Sequence, residues 1–248
     1  MDWNSDGRHD LLVGDTEGKV LVFLNTNTDS HPILSGGKYV LAAGIDIDVG
    51  ERATPVTADW NSDGKKDLLA GSMDGSIRVF LNEGSDSEPV LRFPYLLQEG
   101  GRDFSLGSRS APRIFDWDGD GLRDILAGEM EGHVYLLLNT GTGDAPVFKR
   151  AGKLFLRDGN VIRYPDQEGN SRSRLFIADW NNDGRNDLLL GGKDGRVILF
   201  KSASGPSNSP LDIGKRTWNQ IKETTLSLKK FLRKQAGIYF KKFFSKAG

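Results

Sequence analysis

A chain of 248 residues with 37% hydrophobic content carries enough apolar material for one large packed domain or two small ones, and it lacks the composition of a disordered polypeptide. It contains no cysteine, which excludes disulfides, thiolate metal sites and a cysteine nucleophile. The formal net charge of -1 hides a division near residue 205: from Gly205 onward ten basic residues face Asp212 and Glu223, which leaves residues 1–204 at -9.

The first segment, Asp2–Asp10, places oxygen-bearing side chains at its positions 1, 3, 5 and 9 and glycine at position 6. The same arrangement returns at Asp59–Asp67, Asp116–Asp124 and Asp179–Asp187, at steps of 57, 57 and 63 residues. A period of this size predicts stacked supersecondary units. Each loop runs into a short apolar segment closed by glycine (Asp10–Gly14, Asp67–Gly71, Asp124–Gly128, Asp187–Gly191), too short for a helix and read as a strand. An acidic-Gly turn then leads to a second β-rich run at 19–25, 76–82, 133–139 and 196–202, which predicts a hairpin in every unit. An outer strand is expected to begin near Pro32, Pro89 and Pro146, since proline costs no ladder bond at a strand start or edge. Apolar runs at Thr54–Asp59, Pro112–Asp116 and Arg174–Asp179 are expected to form the innermost strand of the later units.

The loops carry the chemistry. A hard cation that takes six to eight oxygens can be wrapped by such a nine-residue segment. The expected ligands are Asp2, Asn4, Asp6, the Arg8 carbonyl and Asp10; Asp59, Asn61, Asp63, the Lys65 carbonyl and Asp67; Asp116, Asp118, Asp120, the Leu122 carbonyl and Asp124; and Asp179, Asn181, Asp183, the Arg185 carbonyl and Asp187. Up to four Ca²⁺ ions are expected, with the third loop, which has four carboxylates, the tightest. An EF-hand is excluded, because it needs glutamate at position 12 and this chain has Val13, Ala70, Ala127 and Leu190 there. Trp3, Trp60, Trp117 and Trp180 hold position 2 of the loops and are expected to pack between units rather than to present a sugar platform. Arg52, Arg109 and Arg172 recur seven residues before a loop and are expected to pair with acidic residues of a neighbouring unit. His9, His31 and His133 are scattered and expected at the surface rather than as ligands or bases, and no nucleophile elbow, phosphate-cradling loop or HExxH sequence is present, so the chain is expected not to be an enzyme.

These loops, the Asp-Leu-Leu-x-Gly runs, the strands ending in Asn25, Asn82 and Asn139 and the Thr140-Gly141-Thr142 segment resemble the FG-GAP or VCBS repeat over about residues 1–202. The resemblance implies an all-β fold, a β-propeller-type array of four blades of four strands each, the first and last incomplete. It also implies calcium binding, a protein or carbohydrate ligand, and an extracellular or cell-surface setting. The runner-up is an accessory propeller segment of a larger secreted enzyme such as a polysaccharide lyase or phospholipase. Met1 is followed at once by the first loop, without a secretory signal, so the chain is expected to stay inside the cell or to be a piece of something longer.

The repeats are expected to fill residues 1–204, with a linker at 205–214 and a basic tail at 215–248. Trp218, Ile221, Thr225, Leu228, Leu232, Gln235 and Tyr239 recur at helical steps beside lysines, which predicts an amphipathic helix. It would lie either on an anionic membrane surface or over the edge of the last blade. No nucleic-acid partner is expected; oligomerisation is one way for a short array to cover its edges.

Overall fold

The computed structural model describes residues 1–156, 159–164 and 172–202, together with the backbone of 213–215. Every regular element among them is a β-strand. The first unit holds β1 (Leu11–Gly14), β2 (Val20–Phe23) and β3 (Lys38–Tyr39), followed by a small hairpin of β4 (Leu41–Ala42) and β5 (Ile45–Asp46). The second holds β6 (Thr54–Ala58), β7 (Asp67–Gly71), β8 (Ile77–Phe80) and β9 (Tyr95–Leu96), followed by the hairpin β10 (Gln98–Glu99) and β11 (Arg102–Asp103). The third holds β12 (Ala111–Phe115), β13 (Asp124–Gly128), β14 (Val134–Asn139) and β15 (Phe148–Lys153), and the fourth β16 (Arg174–Ala178), β17 (Asp187–Gly191), β18 (Val197–Ser202) and β19 (Ile213–Lys215).

Each unit is an antiparallel meander whose strands pair in chain order, for example β6-β7-β8-β9 with Ala58 opposite Asp67 and Gly71 opposite Ile77. The first sheet has three strands, in keeping with a unit that lacks its inner strand. The fourth corrects the sequence reading: β19 pairs with β18, so this sheet has an outer strand. The Ile213-Gly-Lys215 segment has too little apolar periodicity to announce itself. The rest of the linker and the tail helix lie outside the described residues. No strand pairing joins the first sheet to the fourth among the described residues.

The core lies between successive sheets. Val20 and Val22 of the first unit meet Leu68, Ala70 and Phe80 of the second. On its other face, the second unit sets Leu69, Ile77 and Val79 against Ile125, Ala127 and Leu137 of the third. Leu126, Val134 and Leu136 in turn meet Leu175, Leu188, Leu190 and Phe200. The central strands β7 and β13 are therefore buried along their whole length, and a continuous apolar run is stable there because both faces are covered.

The glycine that closes each run marks where the next unit crosses. A Cβ on Gly14 would meet the Ala53 carbonyl oxygen at 2.1 Å, one on Gly71 the Ser110 oxygen at 2.4 Å, and one on Gly128 the Ser173 oxygen at 2.2 Å. At Gly191 the nearest atom is 3.7 Å away.

Outer pairing begins just after each proline, as bridges from Asn25 to Leu34 and from Asn82 to Leu91 and as Phe148 opposite Asn139. β15 begins two residues after Pro146, and in the first two units the outer strand is delayed to Lys38 and Tyr95. The turn around each proline is held by the asparagine that ends the preceding run. Asn82 Oδ1 accepts the N–H groups of Gly84 and Val90 at 3.0 and 2.9 Å, and Asn139 Oδ1 those of Gly141 and Val147, both at 3.0 Å. These bonds tie the post-proline residue into a turn before the strand can open.

The small hairpins clip one unit to the next. β10 pairs in parallel with β15 through Glu99 and Phe148, and Ala42 bridges in parallel to Leu91 in the equivalent place. Leu91 and Phe148 are 2% and 3% exposed beneath these clips, whereas Leu34, the matching residue of the first unit, is 41% exposed.

Candidate metal centre

Each loop folds around its own carboxylates in the same way. The position-6 glycine takes a left-handed turn, with φ of 85, 82, 87 and 81° at Gly7, Gly64, Gly121 and Gly184. Its N–H donates to the first carboxylate: Gly7 to Asp2 at 2.8 Å, Gly64 to Asp59 at 3.2 Å, Gly121 to Asp116 at 3.0 Å and Gly184 to Asp179 at 2.8 Å. The position-7 N–H donates to the position-5 carboxylate, at 3.0 Å from Arg8 to Asp6, 2.9 Å from Lys65 to Asp63, 2.8 Å from Leu122 to Asp120 and 3.0 Å from Arg185 to Asp183. A second left-handed residue stands at position 4, namely Ser5, Ser62, Gly119 and Asn182. Sequence reasoning missed it, and Ser and Asn there give no sign of it beyond the tolerance of Asn for that region.

The ninth residue is differently employed. Asp10, Asp67, Asp124 and Asp187 are buried, and both oxygens of each accept backbone N–H groups. One comes from the tryptophan at position 2: Trp3 at 2.7 Å, Trp60 at 2.8 Å, Trp117 at 2.7 Å and Trp180 at 3.1 Å. The other comes from the end of the second run of the hairpin: Asn25 at 2.8 Å, Asn82 at 2.7 Å, Asn139 at 2.8 Å and Ser202 at 2.8 Å. These carboxylates close the loop onto its sheet. Burial pushes the carboxyls of Asp67, Asp124 and Asp187 up, against the pull of those two N–H donors.

Only in the third loop do three carboxylates gather among the described residues, with oxygens of Asp116, Asp118 and Asp120 within 4.8 Å of one another. Elsewhere a hydrogen-bond donor lies between them. The Asn4, Asn61 and Asn181 amides donate to Asp6, Asp63 and Asp183 at 3.0, 3.1 and 2.7 Å, and Arg8 and Arg185 also reach Asp6 and Asp183. The third loop has Asp118 and Leu122 at those places and no such relief.

The donor set fits a hard cation. Asn4 Oδ1 and Asp59 Oδ1 are buried oxygens without a hydrogen-bond partner. The carbonyls of Arg8, Lys65, Leu122 and Arg185 accept no hydrogen bond among the described residues. Oxygens held in a turn and left without protons to accept are what a calcium ion takes up. The ion would draw on positions 1, 3 and 5, the position-7 carbonyl and the remaining lone pairs of position 9.

Three of the four loop tryptophans pack. Trp60 is in the core between the second and third sheets, stacked on Phe148 at 5.2 Å with its Nε1–H donated to the Tyr95 hydroxyl at 2.9 Å, and Trp3 and Trp117 lie against the neighbouring clusters. Position 8 links loops: Lys66 Nζ donates to Ser5 Oγ at 2.8 Å, and Arg123 Nε to the Asp59 carbonyl at 2.8 Å. His133, expected at the surface, is buried, because Glu129 accepts its N–H and ring nitrogen at 2.8 Å each.

No helix among the described residues is long and apolar enough to cross a membrane. No curated protein matches the chain. Residues 116–190, which run from the third loop into β17, match the family model described as an FG-GAP-like repeat, so this stretch of the chain is similar to an FG-GAP-like repeat.

Proposed function

We propose that this protein is a calcium-stabilised, propeller-type binding module that presents a surface to a protein or carbohydrate ligand and catalyses no reaction. The observation that carries the metal reading is the fourfold recurrence of one loop geometry with oxygens left over, including the buried, unpartnered Asn4 Oδ1 and Asp59 Oδ1. A turn that existed only to connect strands would not hold buried acceptors unsatisfied. The ligand class rests on the repeat family, whose members act largely outside the cell in adhesion and sugar recognition; an extracellular or cell-surface site follows from the same source.

Calcium at these loops would be structural. If each site binds in the range of extracellular modules, roughly 10⁻⁴ to 10⁻³ M, free calcium near 1 mM stabilises each by about 0.4 to 1.4 kcal/mol. Calorimetric titration of the metal-free chain with calcium and with magnesium, alongside melts in excess chelator, tests this. Calcium-selective binding with a melting temperature lowered by chelator is expected. An unchanged melt with no heat of calcium binding would refute it. A glycan array in calcium then tests the ligand class.

A further inference from the structure

Among the described residues, the arginines that lead into the first strands lack the carboxylate partners expected of them. Arg52, Arg109 and Arg172 each stand two residues before β6, β12 and β16, and these three strands are neighbours at the inner side of the stack. The lead-in backbone is fixed by bonds to the preceding unit, from Arg52 N to Thr16 O at 3.2 Å and from Arg109 N to Met73 O at 2.7 Å. Their side chains thus converge at the end of the first strands opposite the aspartate loops, which follow those strands.

Arg109 is 4% exposed, and its Nη1 is buried without a hydrogen-bond partner. Arg172 Nε is likewise buried and unpartnered. Among the described residues neither they nor Arg52 and Arg174 form a salt bridge, although Arg8, Arg92, Arg150, Arg185 and Arg196 each pair with a carboxylate. Burial, then the charges of Arg174, Arg172 and Arg52, lowers the Arg109 guanidinium to about 10, so it stays cationic at neutral pH. Among the described residues no carboxylate contributes to its surroundings. A buried charge with unused donors, repelled by its neighbours, is destabilising unless something negative joins it. Guanidinium groups present paired donors that match a planar carboxylate or a tetrahedral oxyanion.

We propose that Arg109, with Arg52 and Arg172, forms a binding site for an oxyanion, a carboxylate or phosphate-like group of a small ligand, at the end of the array opposite its cation loops. The site is independent of whether the loops hold calcium. Its three main donors come from three successive lead-ins, so it exists only when those units are stacked. A ligand here would bridge three units through charge-assisted hydrogen bonds.

Equilibrium dialysis of radiolabelled sulfate against the full chain, in calcium and at constant ionic strength, tests the proposal. Saturable binding of one sulfate per chain is expected, weakened about tenfold or more by Arg109→Met and by Arg172→Met, and unchanged by Arg92→Met, which removes a surface arginine already paired with Glu83. Competition by inorganic phosphate and by succinate separates the two ligand geometries: stronger displacement by phosphate assigns a tetrahedral oxyanion, stronger displacement by succinate a carboxylate. Urea melts check that each variant folds. Should Arg109→Met fail to fold, Arg52→Met and Arg172→Met decide. Sulfate uptake that does not saturate, that neither competitor displaces, or that is as strong in the folded lead-in variants as in the parent chain overturns the proposal.

Discussion

Replacing Gly128 by alanine is the sharpest test of how the units are joined. The new Cβ would stand 2.2 Å from the Ser173 carbonyl oxygen, 2.5 Å from Ser173 Oγ and 3.0 Å from its carbonyl carbon. Backbone and side chain must both retreat. Ser173 is also the bolt of this crossing: its Oγ accepts the Glu129 N–H at 2.9 Å and donates to the His133 carbonyl at 2.7 Å, and its N–H donates to the Glu129 carbonyl at 3.1 Å. Overpacking costs about 1–3 kcal/mol, and loosening even one or two of these bonds adds about 1 kcal/mol each, so a loss of about 3 kcal/mol is expected. In a chain of this size that is a melting temperature lower by about 6–12 °C. Gly191→Ala is the internal control. It ends the equivalent strand in the fourth unit, its nearest neighbour is 3.7 Å away, and alanine in a strand is about 0.5 kcal/mol or more better than glycine. Urea unfolding followed by tryptophan fluorescence measures both. Equal effects from the two substitutions, or a Gly128→Ala loss below about 1 kcal/mol, would refute the idea that the lead-in of each unit is seated on the glycine of the one before.

The two kinds of loop aspartate should separate in the same assay. Asp124→Ala strips an acceptor from two backbone N–H groups and is expected to cost about 2–4 kcal/mol even in chelator, whereas Asp118→Asn should leave the chelated melt unchanged and weaken calcium binding by calorimetry. Equal losses in chelator would mean that position 9 is not a structural staple. Asp74 offers a pH test outside the loops: burial raises its carboxyl, but the hydroxyls of Ser72 and Ser76 and the Ser76 N–H outweigh it and hold it below its ordinary 3.8. A depressed folded value contributes stability above the unfolded value and loses it as pH falls through the folded one. Asp74→Asn should therefore destabilise at pH 7 by an amount that shrinks below about pH 4 in urea titrations; a constant difference from pH 7 to pH 3 would exclude the charged carboxylate as the cause.

Much of the strand order could be read from residues, because a fourfold repeat of one pattern supplies its own alignment. Asp67–Gly71 and Asp124–Gly128 fall on β7 and β13 to the residue. What escaped reading is held by single atoms. The clips β4-β5 and β10-β11 are two-residue strands, largely exposed, with no apolar alternation to betray them. β19 is three residues long and contains a glycine. At the loops the residue types were legible and their division of labour was not: aspartate at positions 1 and 9 looks alike in sequence, but Asp116 is turned to the loop and Asp124 is buried with both oxygens committed. The arginines were legible only as a recurrence. Their lack of carboxylate partners among the described residues depends on three lead-ins meeting at one end of the stack, which no local spacing encodes.

The clips also give the array a direction in time. Each small hairpin lies earlier in the chain than the edge it covers, Ala42 before Leu91 and Glu99 before Phe148. A ribosome would thus release every cover ahead of the apolar edge it shields, so a nascent outer strand meets its partner as it emerges rather than waiting for later synthesis. Circular permutation that moved the first unit to the end would leave Leu91 without its clip until the last residues appeared, turning a sequence of guarded steps into one long exposure.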